Sequence, residues 1–258
     1  MPESVLFAID GALATVTLNR PEKLNALTME MIEALAVIAA QLDAERGVRC
    51  VILTAAGERA FCVGADINAW SALEPLDMWR LWTKRGHQVF EQWARLRQPV
   101  IAAINGHALG GGLELAAAAD LRVASTSAQF GLPEASIATC PGWSGTQRLT
   151  DLLGAARVKY LALTGRRISG EEAWRMGLVN ELAGDEGVTQ TALRLARDIC
   201  ALAPVSVQLT KQLIDASDGA GLAYALEGMA GALAGCTQDA REGLASFRER
   251  RAASYRGE

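Results

Sequence analysis

From Leu13 the chain reads LATVTLNRP, apolar residues alternating with polar ones until Pro21. A repeat of two is that of a strand with one buried face, so the stretch predicts a β-strand. The repeat then changes. In TMEMIEALAVIAAQLDAE apolar residues recur at helical spacing behind Thr28, which predicts an amphipathic helix capped by Thr28, with Glu30 adding early negative charge. VRCVILTAAG and PVIAAING are short apolar runs that predict two more strands, the first buried on both faces. A loop around GERAFCVGAD and a tryptophan-rich helical stretch from about Leu76 to Arg97 lie between them. DLRVAS and AQFGLPE predict two further short strands.

Strands alternating with helices over the first 140 residues or so argue for an α/β fold. From about Thr189 the pattern is almost wholly helical, broken at Pro204 and near Gly219. No low-complexity linker separates the parts. The division predicted is a core over residues 1–195 and a C-terminal helical oligomerisation region over 196–258, packed on the core or on a neighbouring subunit.

Composition narrows the classes. The chain has 258 residues, half of them apolar, and a net charge of −4, which offers no general attraction to nucleic acid or an anionic membrane. No apolar run reaches the roughly 20 residues that span a bilayer. MPESVLFAIDG lacks the basic-then-apolar order of a signal peptide, so a cytoplasmic protein is expected. The five cysteines, Cys50, Cys62, Cys140, Cys200 and Cys236, are widely spaced, form no CxxC pair and meet only two histidines. That pattern fits reduced structural cysteines and argues against a metal site.

The candidate chemistry begins at NGHALGGGLELAAAAD, Asn105 to Asp120, where three glycines open an alanine- and leucine-rich run that reads as a buried helix. Glycine is a poor helix former, so three together need a reason. The spacing of Gly106, Gly110, Gly111 and Gly112 does not fit GxGxxG, and no Gly-Lys-Ser/Thr follows to make a P-loop. Two readings remain. One is tight helix packing. The other is bare backbone N–H groups at a helix entrance, suited to an oxygen that becomes negative during reaction.

Three other features bear on that choice. In GERAFCVGADI, Gly64-Ala65-Asp66 reads as a strand-to-helix turn with Asp66 as an ordinary N-cap, yet a second loop donor would complete an oxyanion hole. Glu114, inside the glycine-led helix, and Glu134, in QFGLPEASIATCPGWSGTQRL, are separated by two short predicted strands that could bring them face to face. Taken singly each is an ordinary paired or solvated charge; taken together, two carboxylates at an oxyanion hole can deprotonate a water and supply a proton elsewhere. A serine hydrolase is disfavoured, because GWSGT lacks the residue that Gly-x-Ser-x-Gly needs between Ser144 and the next glycine.

GERAFCVGADI, INGHALGGGLELAAAAD and FGLPEASIATCPGWSGTQRL, in this order, resemble the crotonase (enoyl-CoA hydratase/isomerase) family, and the likeness runs from NRPEKLNALT to REGLASFRERRAASY. The resemblance implies a spiral of ββα repeats with C-terminal trimerisation helices, assembled as a homotrimer or a dimer of trimers. It implies an acyl-CoA thioester substrate whose carbonyl oxygen is held by the amides of Ala65 and Gly111. Both glutamate positions are filled, as in the hydratases: Glu114 would activate water for attack at C3, Glu134 would deliver a proton to C2, and Gly142 would help hold the water. The family also places Leu24, Ala65, Asp66, Ile67, Gly111, Phe247 and Arg250 at the substrate, the last two by meeting the CoA moiety, sometimes across subunits. No metal or cofactor is implied, because the enoyl thioester carries its own electrophile. An enoyl-CoA isomerase, or a dehydratase for a specialised acyl-CoA, is the alternative within the family, and a scaffold or nucleic-acid binder the alternative outside it.

The sequence departs from the family pattern at Trp143-Ser144, which puts a large ring beside the expected water site. It also carries Trp70, Trp79, Trp82 and Trp93 where the family shapes its acyl pocket. Tryptophans at helical spacing are ordinarily core, but one facing the pocket would imply a short or unusually shaped acyl group.

Overall fold

A computed structural model describes residues 3–184, 187–216 and 220–258. The chain starts with a hairpin, β1 (Val5–Asp10) and β2 (Leu13–Leu18), and then runs through α1 (Met29–Ala44) to β3 (Cys50–Ala55). The Thr28 side chain accepts from the Met31 amide, as the N-cap reading requires. Next come β4 (Ala60–Cys62), the short helices α2 (Ile67–Trp70) and α3 (Pro75–Asp77), a wide π-type turn over Met78–Thr83, and α4 (Lys84–Ala94). The stretch predicted as helical from about Leu76 to Arg97 is therefore helical over most of its length, and locally widened by that turn.

Two strands and a helix then recur. β5 (Val100–Ile104) and β6 (His107–Leu109) lead into α5 (Gly111–Ala117). β7 (Leu121–Ala124) and β8 (Gln129–Gly131) lead through a short helical turn at Glu134–Ile137 to α6 (Gly145–Leu153) and α7 (Ala155–Thr164). β9 (Arg167–Ser169), α8 (Gly170–Arg175) and β10 (Glu181–Leu182) close the spiral. Each turn lays one strand in a large sheet of order β1-β2-β3-β5-β7-β10 and one in a small sheet of order β4-β6-β8-β9. β3, β5 and β7 pair in parallel, as strands joined by crossovers must.

The period-two alternation of β3 and β5 decides which core each side chain joins. Val51, Leu53, Ala102 and Ile104 face the main core, and Cys50, Ile52, Ile101 and Ala103 face α9 (Gly187–Cys200) through Val188, Ala192 and Ala196. The predicted division between residues 195 and 196 thus falls inside α9, a helix that belongs to the sheet. The purely helical part begins instead with α10 (Pro204–Asp215), where Pro204 is the first helical residue, and continues as α11 (Ala220–Gly235) and α12 (Gln238–Glu249). The break expected near Gly219 lies outside the described residues. Among the described residues, no helix is long and apolar enough to cross a membrane. The five cysteines are free: Cys50 and Cys62 are buried, Cys200 is half-buried, and Cys140 and Cys236 are exposed.

Candidate active site

The glycine run sits where β6 turns into α5. Gly110 adopts φ +51°, a conformation that favours glycine, and caps the helix. A Cβ at Gly112 would lie 2.1 Å from the Cys62 carbonyl oxygen, so tight packing accounts for that glycine. Gly111 does both. A Cβ there would lie 2.8 Å from the Trp143 ring and 3.7 Å from the Ala65 amide nitrogen, and a Cβ at Gly64 would lie 3.3 Å from the Gly111 amide nitrogen. Two loops from separate turns of the spiral therefore bring the Ala65 and Gly111 amides together. Among the described residues, neither amide has an acceptor within the chain. Both readings of the glycines hold: Gly112 is packing alone, and Gly111 combines packing with a free amide.

Glu114, one turn into α5, is 2% exposed. Its Oε1 accepts from the Trp143 amide at 2.9 Å and the Gly145 amide at 2.8 Å. Burial raises its pKa, against the lowering effect of the Trp143, Gly145 and Gly142 amides. A Cβ at Gly145 would lie 2.2 Å from Glu114 Cγ, so this position of the GTQRL segment must be glycine for the carboxylate to reach the turn.

Glu134 starts the short helical turn after β8. Its Oε2 is buried and has no partner among the described residues. Burial pushes its carboxyl up to about 7, opposed by its own backbone amide and assisted by the charge of Glu114. Its Oε1 lies 3.0 Å from where a Gly110 Cβ would stand, beside the amide pair. The two carboxylates and two free amides face one cleft of about 640 Å³. Ala65, Ile67, Gly111, Glu114, Glu134 and Gly142 all line it, which brings together residues expected from three separate segments.

Four expected residues lie outside the cleft. The Asp66 carboxylate caps the Asn68 amide and pairs with Arg20 at 3.1 Å, the ordinary N-cap reading. Leu24 stands at φ +51°, and its carbonyl accepts from the Val63 amide. Phe247 is 84% exposed on α12, and Arg250 caps the end of that helix. The cleft adds residues that sequence reasoning missed: Met78 and Thr83 of the π-type turn, Cys140 and Arg167. Trp70, Trp79, Trp82 and Trp143 line it as well. Trp93 is core, its indole N–H bonded to the Leu35 carbonyl.

Ser144, disfavoured as a hydrolase nucleophile, does meet a histidine: its Oγ is 2.6 Å from His87 Nδ1. Ser144 is buried, and His87 opens onto a separate groove between α1 and α4 rather than the cleft. The contact fastens the turn whose amides hold Glu114, with Ser144 at φ +72°.

A ββα spiral carrying two loop amides and two buried carboxylates in one cleft defines an enzyme class built to stabilise an oxyanion while moving protons. Residues 8–258 match the family described as enoyl-CoA hydratase/isomerase, and the chain belongs to that family. It is 38% identical to the short-chain-enoyl-CoA hydratase of Clostridium acetobutylicum, over 96% of this chain and 95% of that protein. It is also 38% identical to the (E)-benzylidenesuccinyl-CoA hydratase of Thauera aromatica, over 98% and 99% of the two chains. The crystal structure of an enoyl-CoA hydratase from Bacillus anthracis superposes with a TM-score of 0.94 at 38% identity, covering 99% of this chain and all of that one.

Proposed function

We propose that this protein catalyses reversible syn hydration of 2-trans-enoyl-CoA thioesters to 3-hydroxyacyl-CoA. The observation that carries the reading is the pairing of Glu114 and Glu134 in the cleft that holds the free Ala65 and Gly111 amides. The thioester oxygen accepts from both amides, which stabilise the enolate that forms when water oxygen bonds to C3. Glu114, anchored through Oε1, takes the proton that this water loses. Glu134, with its carboxyl raised to about 7, holds a proton near neutral pH and gives it to C2, so one water is added across the double bond. The Gly142 amide, at the Glu114 end of the cleft, helps hold the water. The chemistry draws on no metal or cofactor, CoA being part of the substrate. A double-bond shift needs one proton shuttle, and the second carboxylate in the cleft favours hydration over it.

The same reading assigns a soluble cytoplasmic enzyme that assembles as a homotrimer or a dimer of trimers. Met229, Leu233, Leu244 and Phe247 are exposed on α11 and α12, an apolar face suited to burial between copies. In such an assembly Phe247 and Arg250 of a neighbouring copy would reach the CoA moiety, and Leu24 would border its channel.

The test is the conjugated-thioester absorbance of crotonyl-CoA mixed with wild type, Glu114→Gln or Glu134→Gln. Wild type is expected to bleach the band, and each variant to lose about 10²–10⁴-fold in rate. Full activity in Glu114→Gln would sink the two-carboxylate mechanism and favour the isomerase.

A further inference from the structure

We propose that Trp143 sets the acyl specificity of this cleft: its indole, locked in a notch at Gly86, is a fixed wall that ends the acyl pocket and selects short enoyl chains. The inference rests on reading the cleft as the enoyl-CoA site.

The indole spans two glycines. At one end Cε3 and Cζ3 lie 2.8 Å from where a Gly111 Cβ would stand, beside one of the two free amides. At the other, Nε1 lies 2.1 Å from where a Gly86 Cβ would stand. Gly86 is inside α4, where nearly any other residue makes a better helix. The absence of a side chain there is what admits the ring.

Three contacts stop the ring from turning away. Nε1–H donates to the Trp82 carbonyl at 3.3 Å, and Trp82 belongs to the π-type turn, where carbonyls leave the regular helical ladder. The Trp82 ring lies at 5.6 Å, and Phe90 meets the indole edge-on at 5.2 Å. Trp143 is 3% exposed and lines the cleft. Its backbone is fixed as well, because its amide holds Glu114. The wall and the catalytic carboxylate are thus set by one residue, and acyl carbons beyond the reacting atoms meet a surface that does not yield.

The experiment compares kcat/KM for crotonyl-CoA and trans-2-decenoyl-CoA in wild type, Trp143→Ala, Trp143→Phe and Gly86→Ala. Calorimetric binding of butyryl-CoA and decanoyl-CoA, which do not react, is measured on the same proteins. A methylene misfit in an apolar pocket is worth roughly 10–200-fold. Wild type is expected to favour crotonyl-CoA by about 10-fold or more, and Trp143→Ala to raise the long-to-short ratio by roughly 100-fold, with Trp143→Phe between them. Gly86→Ala, which drives the indole toward the cleft, is expected to lower that ratio further. If Trp143→Ala does not fold, the other two variants still move the ratio in opposite directions.

A ratio that stays put in the folded variants overturns the wall, whatever the reaction. Binding ratios that shift as expected without any hydration would keep the wall and overturn the hydratase reading. Absence of acyl-CoA binding would overturn both.

Discussion

Glu134 is the residue at which environment and role can be checked most directly. Its carboxyl titrates near 7 in the folded chain against an ordinary 4.5, because burial disfavours the charge. Between those values the folded state holds a proton that the unfolded state has lost, so folding stability falls as pH rises through that window. Glu134→Gln removes the liability. The variant is expected to gain stability over wild type at pH 8 by about 2 kcal/mol, allowing for partial solvent screening, and distinctly less at pH 5. Urea unfolding at the two pH values checks this, and an equal difference at both would place the Glu134 titration elsewhere. Catalysis should show the same pair: both directions use the dyad holding one proton, on Glu134 for hydration and on Glu114 for dehydration, so kcat/KM declines in both as pH rises through about 7.

Glu114, Glu134, Ala65, Gly111 and Gly142, which the motifs and the family resemblance single out in the sequence, meet in one cleft. Other residues are opaque in the sequence because their meaning lies in a distant partner. Gly86 looks like a flaw in a helix until Trp143 is seen against it, and Gly145 is unremarkable until Glu114 Cγ occupies the space its Cβ would need. Asn25 likewise holds φ +55° while its side-chain amide bonds the Ala56 and Ala60 carbonyls, tying the NRPEKLNALT loop to β4.

Among elements, those with several periods of pattern are readable: β2, β3, β5, α1 and the helical stretch through α4. Of the strands of two or three residues only β8 is readable; β4, β6, β9 and β10 carry too little pattern to declare themselves and exist because tertiary pairing extends the small sheet or the edge of the large one. The π-type turn is also hidden, since nothing in MWRLWT distinguishes it from ordinary helix. At the other end of the chain, α10 is pinned to the sheet by one ion pair. Lys211 Nζ lies 2.7 Å from Asp120 Oδ2, with the Lys211 side chain 7% exposed, and the same oxygen accepts from the Val100 amide. Removing one partner of a buried pair leaves the other charge uncompensated. Lys211→Ala is therefore expected to lower unfolding free energy by about 3 kcal/mol, at the low end for such pairs because Asp120 keeps some solvent. An unchanged urea midpoint would mean that α10 is held by apolar packing alone.

At the scale of the whole molecule, the spiral explains why the site can be assembled from short motifs far apart in sequence. Each turn delivers one loop to the same end of the two sheets: Gly64-Ala65 after β4, Gly110-Gly111 after β6, and Glu134 after β8. Family order is thus a geometric statement, and this is why motifs met in sequence converge on one cleft. The C-terminal contacts follow less directly, because Phe247 and Arg250 lie outside the cleft of their own chain.

In the proposed reaction the cleft adds water across a conjugated thioester. The most direct test is mass spectrometry of the product formed from crotonyl-CoA in heavy-oxygen water. Wild type is expected to form 3-hydroxybutyryl-CoA carrying one labelled oxygen on C3, and Glu114→Gln to lose that product. Substrate recovered unlabelled, or converted to a shifted double bond without oxygen gain, would contradict it.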